Sequence, residues 1–405
     1  MKRFIAWAVK AVACCGLLAP LHPAAAQTVR PESVGFSAQR LARIEDVMQA
    51  QIDAHVFPGA VTLVARDNEI VWLHAQGLMD VESDRAMQTD AVFRIMSMTK
   101  PVVALAVLMM VEAGEVRLTD PVSRFIPELG DLSVAAPSTP APVPASRDIT
   151  VLDLLTHTSG LMSGGPSAEI AIEIGRDDTL ADVLPRLSAA PLDFEPGTRW
   201  AYSAQFGFDV LARIVEIASG VAFDTFARQR IFAPLGMNDT YFYPVTGHPR
   251  LATLYRTAEG QLEPISDMRF MNGAYFSGGG GLFSTARDYL QFALMLLNDG
   301  ALGNVRLIGR RTAETMRTAF VPASLPGRTA GEGFGLGVRV VTDPAARRTM
   351  LSAGSFGWSG AFNTHFFIDP VERIVGIFMT QSAFLASRRQ LREDFETAVM
   401  QALVD

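Results

Sequence analysis

Ten consecutive apolar residues, 102–111, follow a proline at position 101, and this pairing constrains the whole chain. A segment with no polar face is stable only when protein surrounds it on every side. Gly114 supplies a stop for a helix. Pro101 lacks a backbone N–H, so it fits only in a helix's first turn. The sequence thus predicts a buried helix that starts near Met98, ends by Gly114 and carries Ser97 and Lys100 at its mouth.

That lysine is unusual. The 405 residues contain three lysines, Lys2, Lys10 and Lys100, against many arginines. The first two lie in a segment with the features of an export signal. Lys2 and Arg3 give a positive start, residues 4–18 are mostly apolar, and Ala24-Ala25-Ala26 offers the small residues needed for cleavage near Ala26. A membrane anchor is the alternative, but Lys10 interrupts an apolar run already short of the roughly 20 residues a span needs. A lipoprotein is a third reading, because Cys14 and Cys15 follow small apolar residues, although Ala11-Val12-Ala13 is a poor acylation signal. The expected mature chain, 27–405, has Lys100 as its only lysine. It is periplasmic or secreted, with no membrane span. Arginine stays charged, so an amine that must give up its proton has to be lysine.

Both cysteines lie in the same leading segment. Disulfides, thiolate catalysis and cysteine-bound metals are therefore not expected in the mature chain. Losing three basic and no acidic residues would take the formal charge from −7 to −10. With no polybasic run, this surface does not suit nucleic acid.

Ser37 is placed to cap an amphipathic helix bearing Leu41, Ile44, Val47, Met48 and Ile52. Residues 60–65 and 70–74 flank a polar turn as a β-hairpin. Prolines at 137, 140, 142 and 144 mark an extended loop over 132–147. Helices are expected at 151–155, around 180–187 and at 208–218. Further on, Gly278 to Gly281 form a turn, Ser284 caps a helix through 289–297, and 336–341, 364–368 and 374–380 read as strands. The last two strands form a hairpin, and an amphipathic helix closes the chain over 389–403. The expected architecture is α/β, in the α+β sense: an antiparallel sheet flanked by helices and built from both termini (27–105 and 245–405), with an inserted all-helical region (106–244).

Ser97 and Lys100 are three residues apart, which places them on one face of a helix. A serine hydroxyl needs a nearby base to become a nucleophile. A helix N-terminus disfavours a protonated amine and favours an oxyanion. The plainer alternative is a capping serine beside a surface lysine.

Further segments carry a resemblance. Ile95-Met96-Ser97-Met98-Thr99-Lys100-Pro101 resembles the active-site helix of the serine β-lactamase and penicillin-binding-protein superfamily. Leu154-Leu155-Thr156-His157-Thr158-Ser159-Gly160-Leu161, Phe194-Glu195-Pro196-Gly197 with Tyr202-Ser203, and Gly279-Gly280-Gly281-Leu282-Phe283-Ser284-Thr285 are similar to other segments of that group, in its order. The likeness runs from about residue 35 to the C-terminus. It is closest to class C β-lactamases and family VIII carboxylesterases.

The resemblance implies a serine β-lactamase-like fold and an acyl-serine mechanism without a cofactor. It makes Tyr202 the partner of Ser97 and Lys100 in proton transfer. Trp358-Ser359-Gly360 matches the third motif, where β-lactamases carry Lys-Thr-Gly, and the N–H groups of Ser97 and Ala361 would form an oxyanion hole. Ala204 stands where β-lactamases carry an asparagine. Both departures favour an ester substrate over a β-lactam. A β-lactamase or D-amino-acid peptidase is the enzymatic alternative, and a non-catalytic scaffold the alternative of another class. His157, beside Leu154-Leu155 and Ser159-Gly160, reads as structural. No Gly-x-Ser-x-Gly elbow, nucleotide fingerprint or metal-ligand spacing occurs.

Overall fold

The structure is a computed structural model that describes residues 28–135, 141–243, 247–265, 273–383 and 388–405. The expected export segment lies outside these residues, as do 136–140 of the proline-rich loop.

An eight-stranded sheet organises the molecule. Its strands run in the order Glu332–Phe334, Arg339–Val341, Phe356–Ser359, His365–Asp369, Ile374–Met379, Gly59–Arg66, Glu69–Asp80 and Arg85–Ala86, with every neighbouring pair antiparallel. The two expected hairpins sit side by side at its centre, with Leu63 opposite Ile377. Alternation along the strands loads both faces. Phe366, Ile368, Ile377 and Met379 point into one core, and Phe367 and Phe378 into the other. The second core is closed by the N-terminal helices Ala38–Leu41 and Arg43–Asp53 and by the C-terminal helix Arg388–Met400, through Ile44, Met48, Phe395 and Val399.

The larger core is built around the apolar run. Helix Thr99–Glu112 buries every residue from Thr99 to Met110. Each large side chain so buried contributes roughly 1.5–3 kcal/mol, so displacing this helix would be costly. It packs against the helix Phe206–Ser219, which ends on Gly220 in the left-handed conformation. Thus the N- and C-terminal parts of the chain form the sheet, and 106–244 supplies mostly helix between them.

Some expectations shift. The first helix is two pieces meeting at Ala42, with Ser37 capping the first through Arg40 N. Thr285, not Ser284, caps the helix Ala286–Leu297 by accepting from Asp288 N. Ser284 belongs to the strand Leu282–Ser284. The strand expected at 336–341 begins only at Arg339. The inserted region is not all helical, because Ser133–Val134 pairs with Val143–Pro144. Two-residue strands carry too short an alternation to be read from sequence.

Candidate active site

Ser97 sits in a single 3-10 turn, Met96–Met98, that runs straight into the central helix. The residue before it, Met96, has φ of +47°, a left-handed conformation that costs a non-glycine residue roughly 1–2 kcal/mol. The neighbouring Ile95 is held from both sides: its N–H donates to Leu282 O at 3.1 Å, and its carbonyl accepts from Thr364 Oγ1 at 3.1 Å. The tertiary structure thus presents Ser97 on a bent, anchored segment.

Lys100 is completely buried, one turn further on. Its Nζ donates to Ser97 Oγ at 3.2 Å and to the carbonyls of Ala204 and Gly279, each at 2.6 Å. It also lies 5.0 Å from the centre of the Tyr202 ring. Tyr202 Oη donates to Ser97 Oγ at 2.7 Å. The hydroxyl of Ser97 therefore lies within hydrogen-bond reach of both an amine and a phenol. A distance of 2.7 Å is that of an ordinary O–H···O hydrogen bond, and it is within reach for proton transfer between the two oxygens.

Tyr202 is fixed by its chain neighbours. Ala201 N donates to His157 O at 3.1 Å, and Ser203 N donates to His157 Nδ1 at 3.3 Å. The His157 ring packs edge-on against Tyr202 at 4.7 Å. Burial, then the charges of Lys100 and Arg328, hold the pKa of His157 well below the ordinary histidine range. It is a neutral wall, consistent with the structural reading of its sequence context.

A second layer holds the amine's acceptors. Asp209 is fully buried on the helix Phe206–Ser219. Its carboxylate accepts from Tyr275 Oη at 2.7 Å, Ser277 Oγ at 2.7 Å and Gly279 N at 2.8 Å. Burial raises its pKa, against the pull of these donors and of Lys100. Asp209 thus clamps Gly279, the residue whose carbonyl receives Lys100. The clamp requires glycine: a Cβ on Gly279 would lie 2.7 Å from the Gln205 backbone. The glycine turn therefore brings its backbone against the start of the helix that follows Ala204.

The opposite rim is the end of strand Phe356–Ser359, where Trp358 faces Phe366 and Ser359 faces His365. A Cβ on Gly360 would meet Ile95 O at 2.4 Å, so only glycine lets this strand end approach the Ser97 segment. The Gly360 N–H is engaged by Thr364 O at 2.8 Å. The next backbone donor belongs to Ala361. Ser97, Tyr202, Trp358, Ser359, Gly360 and Ala361 line one cavity of about 320 Å³, together with Trp200 and Arg392.

All seven residues singled out in the sequence therefore meet at one cavity or directly behind it. Three contributors were missed. Asp209 has a signal in hindsight, as a lone carboxylate in the apolar run Phe208 to Ala212. Arg392 comes from the C-terminal helix, and its Nη1 donates to Ser359 Oγ at 2.8 Å. Nothing local in sequence marks it. His157 as the brace of Tyr202 depends on a contact across 45 residues.

The fold and this cavity are those of a serine-nucleophile acyl-transfer protein. The profile of the β-lactamase family matches residues 44–400, and the chain belongs to that family. It is 34% identical to Esterase EstB of Burkholderia gladioli over 392 residues, covering 89% of this chain and 95% of that one. It is 35% identical over 353 residues to Protein Rv1367c of Mycobacterium tuberculosis, covering 81% and 87%. Among solved structures it is similar to EstCE1, described as a hydrolase with promiscuous acyltransferase activity, at a TM-score of 0.76 and 30% identity, covering 89% and 99%.

Proposed function

We propose that the protein is an exported carboxylesterase, periplasmic or secreted, working through an acyl-enzyme on Ser97. The observation that carries the chemistry is the placement of Ser97 Oγ between Tyr202 Oη at 2.7 Å and Lys100 Nζ at 3.2 Å. In the attack, Ser97 Oγ bonds to the ester carbonyl carbon while its proton passes to the Tyr202–Lys100 pair. The carbonyl oxygen becomes an oxyanion, received by the N–H groups of Ser97 and Ala361. The C–O bond then breaks, and the same pair returns the proton to the departing alkoxide. Water enters by the mirror-image route, releasing the acid and restoring the Ser97 hydroxyl. No cofactor takes part.

The rim supports an ester over a β-lactam. Ala204 offers its carbonyl to Lys100 and has no side-chain amide for a substrate. Trp358 adds an indole where the motif's lysine would stand, and the wall of Trp200, Tyr202 and Trp358 suits an apolar acyl or alcohol group. The relative called an esterase, EstB, supports the same substrate class.

The test is turnover of a short-chain 4-nitrophenyl ester against a chromogenic cephalosporin. The ester is expected to be preferred by at least tenfold in kcat/KM. A cephalosporin hydrolysed faster than any ester overturns the assignment, and failure to label with a fluorophosphonate probe returns the protein to a scaffold role. For export, the secreted chain should begin after Ala26; a mature protein that retains residues 1–26 refutes cleavage.

A further inference from the structure

The two oxyanion donors come from distant parts of the chain. Ser97 stands at the entrance of the central helix, and Ala361 lies in the turn between the strands Phe356–Ser359 and His365–Asp369. One residue of that turn, Thr364, holds both segments. Its Oγ1 donates to Ile95 O at 3.1 Å, and its own carbonyl accepts from Gly360 N at 2.8 Å. Ile95 O also accepts from Met98 N at 3.1 Å, which closes the turn carrying Ser97. The Thr364 hydroxyl thus grips the Ser97 turn, while its main chain grips the residue before Ala361. Thr364 is completely buried, so bulk water does not compete for either bond.

Two further observations show what this junction carries. A Cβ on Gly360 would fall 2.2 Å from Thr364 Oγ1 and 2.4 Å from Ile95 O, so hydroxyl, carbonyl and glycine meet at one point with no slack. The two sides of the junction are also unequal. The Ala361 side is anchored independently: Asn363, with φ of +63°, donates from N to Gly360 O at 3.2 Å and from Nδ2 to Ser382 O at 2.8 Å, and Ser382 N donates to Phe362 O at 3.2 Å. The Ser97 side bears the strain, because Met96, with φ of +47°, sits between Ile95 and Ser97. Strained backbone persists only where its surroundings over-determine it. Here Leu282 O holds the Ile95 N–H, and Thr364 Oγ1 holds the Ile95 carbonyl.

We propose that Thr364 is a positioning residue for acyl transfer: its hydroxyl fixes the Ser97 N–H against the Ala361 N–H. This rests on the acyl-enzyme reading for the identity of the two donors. An oxyanion hole works because its donors are already aimed where charge will develop. Thr364 acts through the two backbone segments it ties together.

The experiment is a series at position 364, assayed with 4-nitrophenyl butyrate. Thr364→Val keeps the shape and removes the hydroxyl; Thr364→Ser keeps the hydroxyl and removes a methyl. Met98 N still serves Ile95 O in the valine variant, so it is expected to fold. A misplacement of about 1 Å can cost about a hundredfold in rate, so kcat of Thr364→Val should fall roughly tenfold or more, with KM within about twofold. Thr364→Ser should keep at least roughly a third of the wild-type kcat. A second readout separates positioning from damage. Butylboronic acid bonds to Ser97 Oγ as a tetrahedral anion with an oxygen in the oxyanion position. Its Ki should rise in Thr364→Val by about the factor that kcat/KM loses, and stay near wild type in Thr364→Ser. A merely structural loss lowers the fraction of active protein, which fluorophosphonate titration counts, and leaves Ki unmoved. Wild-type kcat and Ki in Thr364→Val, or a serine variant as impaired as the valine one, overturns the proposal. Should Thr364→Val not fold, Thr364→Cys against Thr364→Ser makes the same comparison, since a thiol is a weak donor; equal Ki values then overturn it. A wild type that turns over no ester yet loses boronate affinity in Thr364→Val sinks the esterase reading and keeps the role of Thr364. Ester turnover that Thr364→Val leaves untouched does the reverse.

Discussion

Replacing Tyr202 with phenylalanine isolates the phenol from everything else the residue does. The ring would stay, and with it the contacts to His157 at 4.7 Å and Trp358 at 5.5 Å. The backbone on either side would remain tied to His157. What disappears is one oxygen, 2.7 Å from Ser97 Oγ. Loss of a single partly buried hydrogen bond costs about 1 kcal/mol of stability. Loss of a positioned acid–base group costs about 10²- to 10⁴-fold in rate, or about 3–5 kcal/mol of transition-state stabilisation. The two effects differ enough to be separated. Steady-state hydrolysis of 4-nitrophenyl butyrate should show kcat reduced at least a hundredfold with KM nearly unchanged, because the phenol acts on the proton and not on the bound ester. Urea unfolding of the same sample should show a small shift in midpoint. A folded Tyr202→Phe variant that keeps more than a third of the wild-type kcat would refute the proton-transfer role, and Lys100 alone would then have to serve.

Lys100→Arg should lose at least a thousandfold in kcat, since a guanidinium cannot shed its proton, and about 1–3 kcal/mol in stability, since a larger head must enter a fully buried site; wild-type-like turnover would contradict the role given to the amine. Asp209→Asn keeps shape but weakens the clamp on Gly279, so kcat should fall roughly tenfold with KM steady; an unchanged kcat would reduce Asp209 to a packing residue. Stability should decline in acid in two overlapping windows. Burial holds His365 at about 4, below its unfolded value, so its contribution is present above pH 6.5 and is lost as pH falls toward 4. Burial opposes the Glu396 carboxylate, but the hydrogen bond from His365 and the charges of Arg339 and Arg347 outweigh it and bring it to about 2, so its contribution is lost from about pH 4.5 downward. Thermal unfolding of His365→Gln should flatten the upper window; an unaltered slope between pH 6.5 and 4 would refute the linkage.

How legible the site was in the sequence depends on the range of the interaction that makes each part. Ser97 and Lys100 are three residues apart on a helix whose position is forced by ten apolar residues, so their meeting is a local consequence of periodicity. Tyr202, Trp358 and Ala361 meet them across the fold, and only resemblance pointed to them. Asp209 and the arginines resisted both approaches for a physical reason. A carboxylate on an apolar helix declares itself as costly, but its partners Tyr275, Ser277 and Gly279 lie on a distant loop that no spacing rule connects to it. The arginines that line a second cavity beside Trp358 come from the turn around Arg328, the strand at Arg339, the helix turn at Arg347 and the C-terminal helix. Each of these looks in sequence like an ordinary surface charge. Only their convergence turns them into a field, and convergence is a property of the sheet that brings Glu332–Phe334, Arg339–Val341 and Phe356–Ser359 side by side. The same argument explains why the third motif could lose its lysine without leaving the rim apolar. The strand end keeps Trp358, while positive charge reaches its edge from Arg392, one helix away. The charge at that strand end is thus set by the C-terminal helix, and the positions of Ser97 and Lys100 by the central helix.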